Sequence, residues 1–174
     1  MEQEKIINNS NQTIINRFYF DLIQANEISQ VSELLKFIWR EAFSDFLSEL
    51  PANILFCPEK IREWVDASNT YTLVAKTHDS KIVGIISAFH QQNRVHVSNL
   101  YIHHNFQKQG LGTVLLSSVF QQFPTVEKFT LRVFEKNIKA RNFYLKQGFR
   151  EVSVRNAIFG TEITPSILME KIIN

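Results

Sequence analysis

The chain has 174 residues, 44% of them hydrophobic, with a formal net charge of +2 and a single cysteine. That length and apolar content suit one domain with a complete core, and exclude a small scaffold that needs disulfide staples. The charge is divided: residues 1–70 hold eleven acids against six bases, the remainder six against thirteen, so the C-terminal part suits a polyanion and the N-terminal part a cation.

Residues 1–16 contain no apolar run, so they read as a flexible tail rather than a leader or a membrane span, with the folded domain over 17–174. Arg17 to Ile23 alternates and is aromatic-rich, a first strand. After Asn26, a candidate N-cap, Ile28, Val31, Leu34, Leu35, Ile38 and Ala42 recur at helical spacing and should form a buried stripe. Phe43 to Phe56 is apolar but irregular, bent by Pro51. Pro58 opens a short helix with Ile61, Trp64 and Val65. Cys57 has no internal partner, which places the chain in a reducing, cytoplasmic compartment. It precedes proline and lacks a nearby histidine motif, so no acyl-enzyme role is assigned to it.

Tyr71 to Thr77 and Lys81 to His90 read as strands joined around Asp79-Ser80, and Val95 to Ile102 as the next strand. A helix after it places Leu111, Val114, Leu115, Val119, Phe120 and Phe123 on one face and ends before Pro124. Phe129 to Phe134 is a strand, Ile138 to Gln147 a helix stopped by Gly148, and Phe149 to Phe159 and Pro165 to Ile173 are closing strands around Gly160. Strands and helices in this order give a mixed α/β domain. No basic run with interleaved aromatics marks a nucleic-acid surface. His103 and His104 are adjacent and, in an extended chain, point to opposite faces, so no metal site is expected.

The most informative stretch is Asn99 to Thr113, a strand that breaks into Gln107-Lys-Gln-Gly-Leu-Gly112 and runs into a helix. Gly110 and Gly112 allow close backbone approach, and the loop's N–H groups converge with those of the helix's first turn on one anion. Gln107 and Lys108 add a polar donor and a positive charge. This is a candidate pyrophosphate cradle, over Gln107, Lys108, Gln109, Gly110, Leu111, Gly112 and Thr113. A second motif follows in Val133 to Phe149, a strand, Asn137, Ala140, Phe143-Tyr144 and Gly148-Phe149.

Together, in this order and spacing, the two motifs resemble the GNAT superfamily of N-acetyltransferases over roughly residues 70–173, and within it the Pai-type bacterial polyamine acetyltransferases. The resemblance implies a seven-stranded, mostly antiparallel sheet splayed between its fourth and fifth strands, about four flanking helices, acetyl-CoA as the cofactor and coenzyme A as product. It places Tyr144 as general acid near the thioester sulfur. Asn137, Ala140 and Phe143 become cofactor positions, and Leu100, Tyr101 and Ile102 supply backbone groups to pantetheine. Asn137 is also a good N-cap, and Tyr144, as a plain buried aromatic, would still need a partner for its hydroxyl.

An aliphatic amine has a pKa near 10.4, so on the order of one molecule in a thousand is neutral at pH 7.4, and transfer calls for a proton acceptor. Many relatives place a glutamate on the fourth strand; here that strand reads Val95-His-Val-Ser-Asn99, which leaves His96 as the catalytic base candidate and Ser98 to hold a water. The acceptor implied is a small amine, a polyamine such as spermidine, with Glu41, Asp45, Glu49 or Glu135 as amine-side anions. Acetylation of a protein N-terminus or lysine stays open, as does a non-catalytic acetyl-CoA sensor. A homodimer through the last strands is common in such proteins.

Overall fold

The computed structural model describes residue 14 and residues 17–45, 47–48, 50–159 and 162–173. Apart from residue 14, the N-terminal tail lies outside the described residues, as does the turn at Gly160. Seven strands form one sheet in the order β1-β2-β3-β4-β5-β7-β6. They are β1 (Tyr19–Leu22), β2 (Thr70–Lys76), β3 (Ile82–Gln91), β4 (Arg94–Ile102), β5 (Lys128–Phe134), β6 (Arg150–Phe159) and β7 (Glu162–Ile172). The helices are α1 (Ile28–Phe43), α2 (Leu50–Leu55), α3 (Pro58–Asp66), α4 (Leu111–Gln122) and α5 (Ile138–Lys146).

Every neighbouring pair of strands is antiparallel except β4 and β5, which α4 connects as a parallel pair. That pairing runs only from Arg94↔Lys128 to Val97↔Leu131. Beyond Val97, β4 continues to Ile102 along β3 alone, while β5 continues to Phe134 along β7. The sheet therefore splays in its middle, as the motif resemblance implies. The departure point coincides with a bulge: Ala88 faces Val97 and Ser87 faces Asn99, so Ser98 is the extra residue. A bulge reverses which side chains face which side of the sheet, so Val95 and Val97 point to one core and Leu100 and Ile102 continue on that same side.

Both faces of the N-terminal half are covered, which is why Ile82 to Ala88 is buried without alternation. One core packs Leu115, Phe129, Leu131 and Met169 beneath α4 and α5. The other packs Leu35, Trp39, Phe56, Ile61 and Val74 beneath α1, α2 and α3. Three local readings need correction. Asn26 does not cap α1: a 3-10 turn over Ala25–Glu27 precedes it, and the Glu27 carboxylate accepts the Gln24 N–H at 2.9 Å. Ala42 is exposed, and the last turns of α1 bury Trp39 and Phe43 instead, whose rings reach the aromatic core where a methyl cannot. Pro51 starts a short helix rather than bending a loop, because a first-turn proline forfeits only an N–H that would be orphaned anyway. The hairpin, α4 and α5 form as read, with Leu116 added to the buried face of α4, Ser80 at φ +63° in the hairpin and Gly148 at φ +84° after α5.

Candidate active site

The splay opens a cavity of about 680 Å³, a size suited to a small-molecule site. Its walls come from β4 (Ser98, Asn99, Leu100, Tyr101), β5 (Arg132, Val133, Phe134), α5 (Asn137, Ala140, Tyr144) and an aromatic group from α1, α2 and α3. Within that group Trp39 meets Phe43, Phe56 and Phe134 edge to face at 4.9, 5.5 and 5.9 Å, and Phe56 meets Trp64 and Tyr101 at 6.2 and 5.9 Å. These rings pack edge to face along one wall of the cavity.

Helix α5 brings three of the expected residues to one wall. Asn137 Oδ1 accepts the Ala140 N–H at 3.1 Å as the N-cap, and the residue borders the cavity. Ala140 and Tyr144, one turn apart, share the cavity face. Tyr144 is almost fully buried, and its hydroxyl forms no hydrogen bond with a described residue. Burial first, and then the neighbouring Tyr101, pushes its phenol well above the ordinary value. Burial does the same to Tyr101.

The cradle begins where β4 ends. His103 caps a 3-10 turn over His104–Phe106, and Lys108 (φ +59°) and Gly110 (φ +86°) take left-handed backbone before α4. The N–H groups of Lys108, Gln109, Gly110, Leu111 and Gly112 form no hydrogen bond with described residues, whereas Thr113 and Val114 donate to the Gly110 carbonyl. Five consecutive unpaired N–H groups at a helix start fit a polyanion. A Cβ on Gly112 would sit 3.2 Å from Phe143 Cζ, and one on Gly110 would collide with Ile14. Gly110 is favoured by its left-handed backbone and Gly112 by its tight packing on Phe143, which lies behind the loop. The buried Gln109 Oε1 has no donor among the described residues, while the Gln109 amide donates to the Asn105 carbonyl at 3.1 Å. Gln107 donates to the Ile102 carbonyl at 3.0 Å, which ties the loop to β4.

His96 does not line the cavity. It sits at the last paired stretch of β4 and β5, with Nδ1 3.0 Å from Thr130 Oγ1 and its ring against Phe89 at 5.2 Å. Burial, and then Arg132 and Arg94, lowers its pKa, so it is neutral at physiological pH. Ser98 borders the cavity and donates to the Ser87 carbonyl at 3.1 Å. Leu100 and Tyr101 line the cavity; Ile102 packs in the core beneath α4. His103 and His104 do not point apart: the chain turns at His104, and their rings stack at 4.5 Å.

Of the four acids expected beside the acceptor, the three described ones do not border the cavity. Glu41 Oε2 sits 2.6 Å from His104 Nδ1 on the far side of α1, Asp45 and Glu135 do not border the cavity, and Glu49 lies outside the described residues. The carboxylate that does border it is Glu63, which sequence reasoning passed over along with Arg132. The one available signal was strand phase. In β5, Phe129, Leu131 and Val133 are buried on one face, so Thr130, Arg132 and Phe134 must share the other with His96.

The family described as Acetyltransferase (GNAT) domain matches residues 40–170. Solved structures share the fold. The PaiA N-acetyltransferase of Thermoplasma acidophilum, in complex with coenzyme A, superposes with a TM-score of 0.77 at 19% identity, over 90% of this chain and 99% of that one. The ribosomal-protein-S18-alanine N-acetyltransferase of Escherichia coli gives 0.70 at 15% identity over 90% and 94%. NAA60 of Arabidopsis thaliana, in complex with a bisubstrate analogue, gives 0.72 at 17% over 90% and 99%. No curated protein sequence matches the chain.

Proposed function

The chain belongs to the GNAT acetyltransferase family and is an acetyl-CoA-dependent N-acetyltransferase; from that premise we propose that a primary amine enters the aromatic cavity and that Tyr144 is the general acid of the transfer. The observation that carries this reading is the buried Tyr144 side chain on the cavity wall at the splay, whose hydroxyl has no hydrogen-bond partner among the described residues. Acetyl-CoA supplies an activated thioester, and its transfer leaves a thiolate that needs a proton. A phenol held above its ordinary pKa keeps that proton throughout the physiological range.

The remaining roles follow from position. The free N–H groups of residues 108–112 hold the pyrophosphate. At the bulge, the backbone of Ser98 to Tyr101 leaves the β5 ladder, which frees main-chain groups to bind the pantetheine arm and to polarise the acetyl carbonyl. The incoming ammonium must lose a proton, and His96, kept neutral by burial and by Arg132, takes it through water held at Ser98.

A polyamine acceptor is the finer reading that the motif resemblance to the Pai-type enzymes supports. The charge inventory weighs against it. Glu63, which alone among the described acids borders the cavity, already lies 2.7 Å from Lys60, and Arg132 adds a cation. The test is release of coenzyme A by purified protein supplied with acetyl-CoA and polyamines, amino acids, aminoglycosides and N-terminal peptides. Turnover with any amine supports the function, and preference for spermidine restores the polyamine reading. Cofactor binding without turnover across the panel would identify a sensor instead.

A further inference from the structure

We infer that the acceptor carries a carboxylate beside its amine and an apolar body, the chemistry of a free amino acid with a large apolar side chain, and that Arg132 selects it. This deepens the acetyltransferase reading and rests on the cavity being the acceptor site. Three observations carry it.

Arg132 borders the cavity, and its one hydrogen bond to a described residue runs from Nη1 to Ser166 Oγ at 3.3 Å. Ser166 donates in turn to the Arg155 carbonyl at 3.0 Å, so its hydroxyl oxygen accepts from Arg132. No described carboxylate pairs with Arg132. The acid nearest along the sheet is Glu170, which faces Thr130 one position away on the same surface. It is already held by Lys128 and Arg150 at 2.7 and 2.6 Å.

The second observation is the balance of charge. Glu63 is paired with Lys60, so the cavity presents one uncompensated cation. The Arg132 side chain is exposed where it borders the cavity, and a guanidinium binds a carboxylate through two parallel N–H donors. A polycation meets the opposite condition.

The third is the wall itself. Trp39, Phe43, Phe56, Trp64 and Phe134 line the wall with aromatic rings, whose hydrogen-bonding groups are the two indole N–H groups alone, so the body of the acceptor is mainly apolar. The polar groups on the β4–β5 side are Ser98, Asn99, Arg132, Asn137 and Ser166, with Glu63, Asn69 and Thr70 on the opposite elements, and it is Arg132 that offers the carboxylate its charge.

The test compares L-phenylalanine with L-phenylalaninamide, 2-phenylethylamine, spermidine and a peptide that begins with phenylalanine. Coenzyme A release gives kcat and KM, and quenching of Trp39 and Trp64 fluorescence with coenzyme A bound gives acceptor affinity without turnover. The expected result is a preference of about 10- to 100-fold for phenylalanine over its amide, the scale of one charge-assisted hydrogen-bonded contact. The preference should lie chiefly in KM and in the fluorescence Kd. Arg132→Ala should abolish it, Arg132→Lys should keep part of it, and Arg132→Glu should reverse it in favour of the amide and spermidine. Equal or better use of the amide, the peptide or spermidine by the wild type would overturn the inference, as would an unchanged ratio in Arg132→Ala. Failure of every amine to turn over would count against the acetyltransferase mechanism alone, because the fluorescence ratio still decides the role of Arg132.

Discussion

Tyr144 holds its proton because it has been taken out of water, and that single fact sets the first expectation at the residue scale. Tyr144→Phe removes the oxygen and little volume, so the fold and the coenzyme A affinity should survive while kcat falls by about 10²- to 10⁴-fold, the usual worth of a positioned acid. Steady-state rates and calorimetric titration on the same preparation check both halves. The cradle glycines respond differently. Gly110 sits at φ +86°, where a side chain costs roughly 1–2 kcal/mol, and a Cβ there also meets Ile14. Gly110→Ala should lower the urea-derived stability by at least that amount and weaken coenzyme A binding together. Tyr144, Asn137 and the glycines were legible because a motif fixed their spacing. Arg132 was not, because a lone arginine in an alternating strand looks like any solvent-facing charge until the register places it opposite an unfilled cavity.

At the scale of elements, the decisive feature is the four-residue parallel ladder between β4 and β5. Periodicity located both strands within a residue or two, yet nothing in Val95 to Ile102 announces that Ser98 is extra. A bulge depends on the partner strand, so it appears only when β3 and β4 are seen together. The acceptor wall shows the same dependence. In α1, Ser32 Oγ donates to the Phe56 carbonyl at 2.6 Å in a buried setting, which ties α2 to α1 behind the cavity. Ser32→Ala leaves that carbonyl without its donor and should lower stability by about 1–3 kcal/mol, read as a shift of the urea midpoint. Since Phe56 lines the cavity, the KM for the amine should rise while the KM for acetyl-CoA stays near its wild-type value.

For the molecule as a whole, the depressed pKa values of His96 and Glu170, the two that belong to the strands around the splay, shape stability in acid in separate windows. His96 is held down by burial, Arg132 and Arg94, so the unfolded chain takes up a proton below about pH 6.5 before the folded one does. Its contribution is complete above that pH and is lost as the pH falls through the folded value. Glu170 is held down by hydrogen bonds from Lys128 and Arg150, so its contribution is complete above about pH 4.3 and is lost as the pH falls further. Thermal midpoints from pH 8 to pH 3 should therefore decline in two steps, with His96→Gln flattening the upper one and Glu170→Gln the lower. The sequence by itself determined the order and type of the elements, the cradle, the Asn137 cap and the position of Tyr144, because each depends on local backbone preference or on spacing within one segment. Only the tertiary structure decided which charges border the cavity. It turned Glu41 toward His104, left Glu63 paired with Lys60 and brought Arg132 unpaired to the cavity. Those placements depend on which distant strands and helices come to lie side by side, and no single segment encodes that.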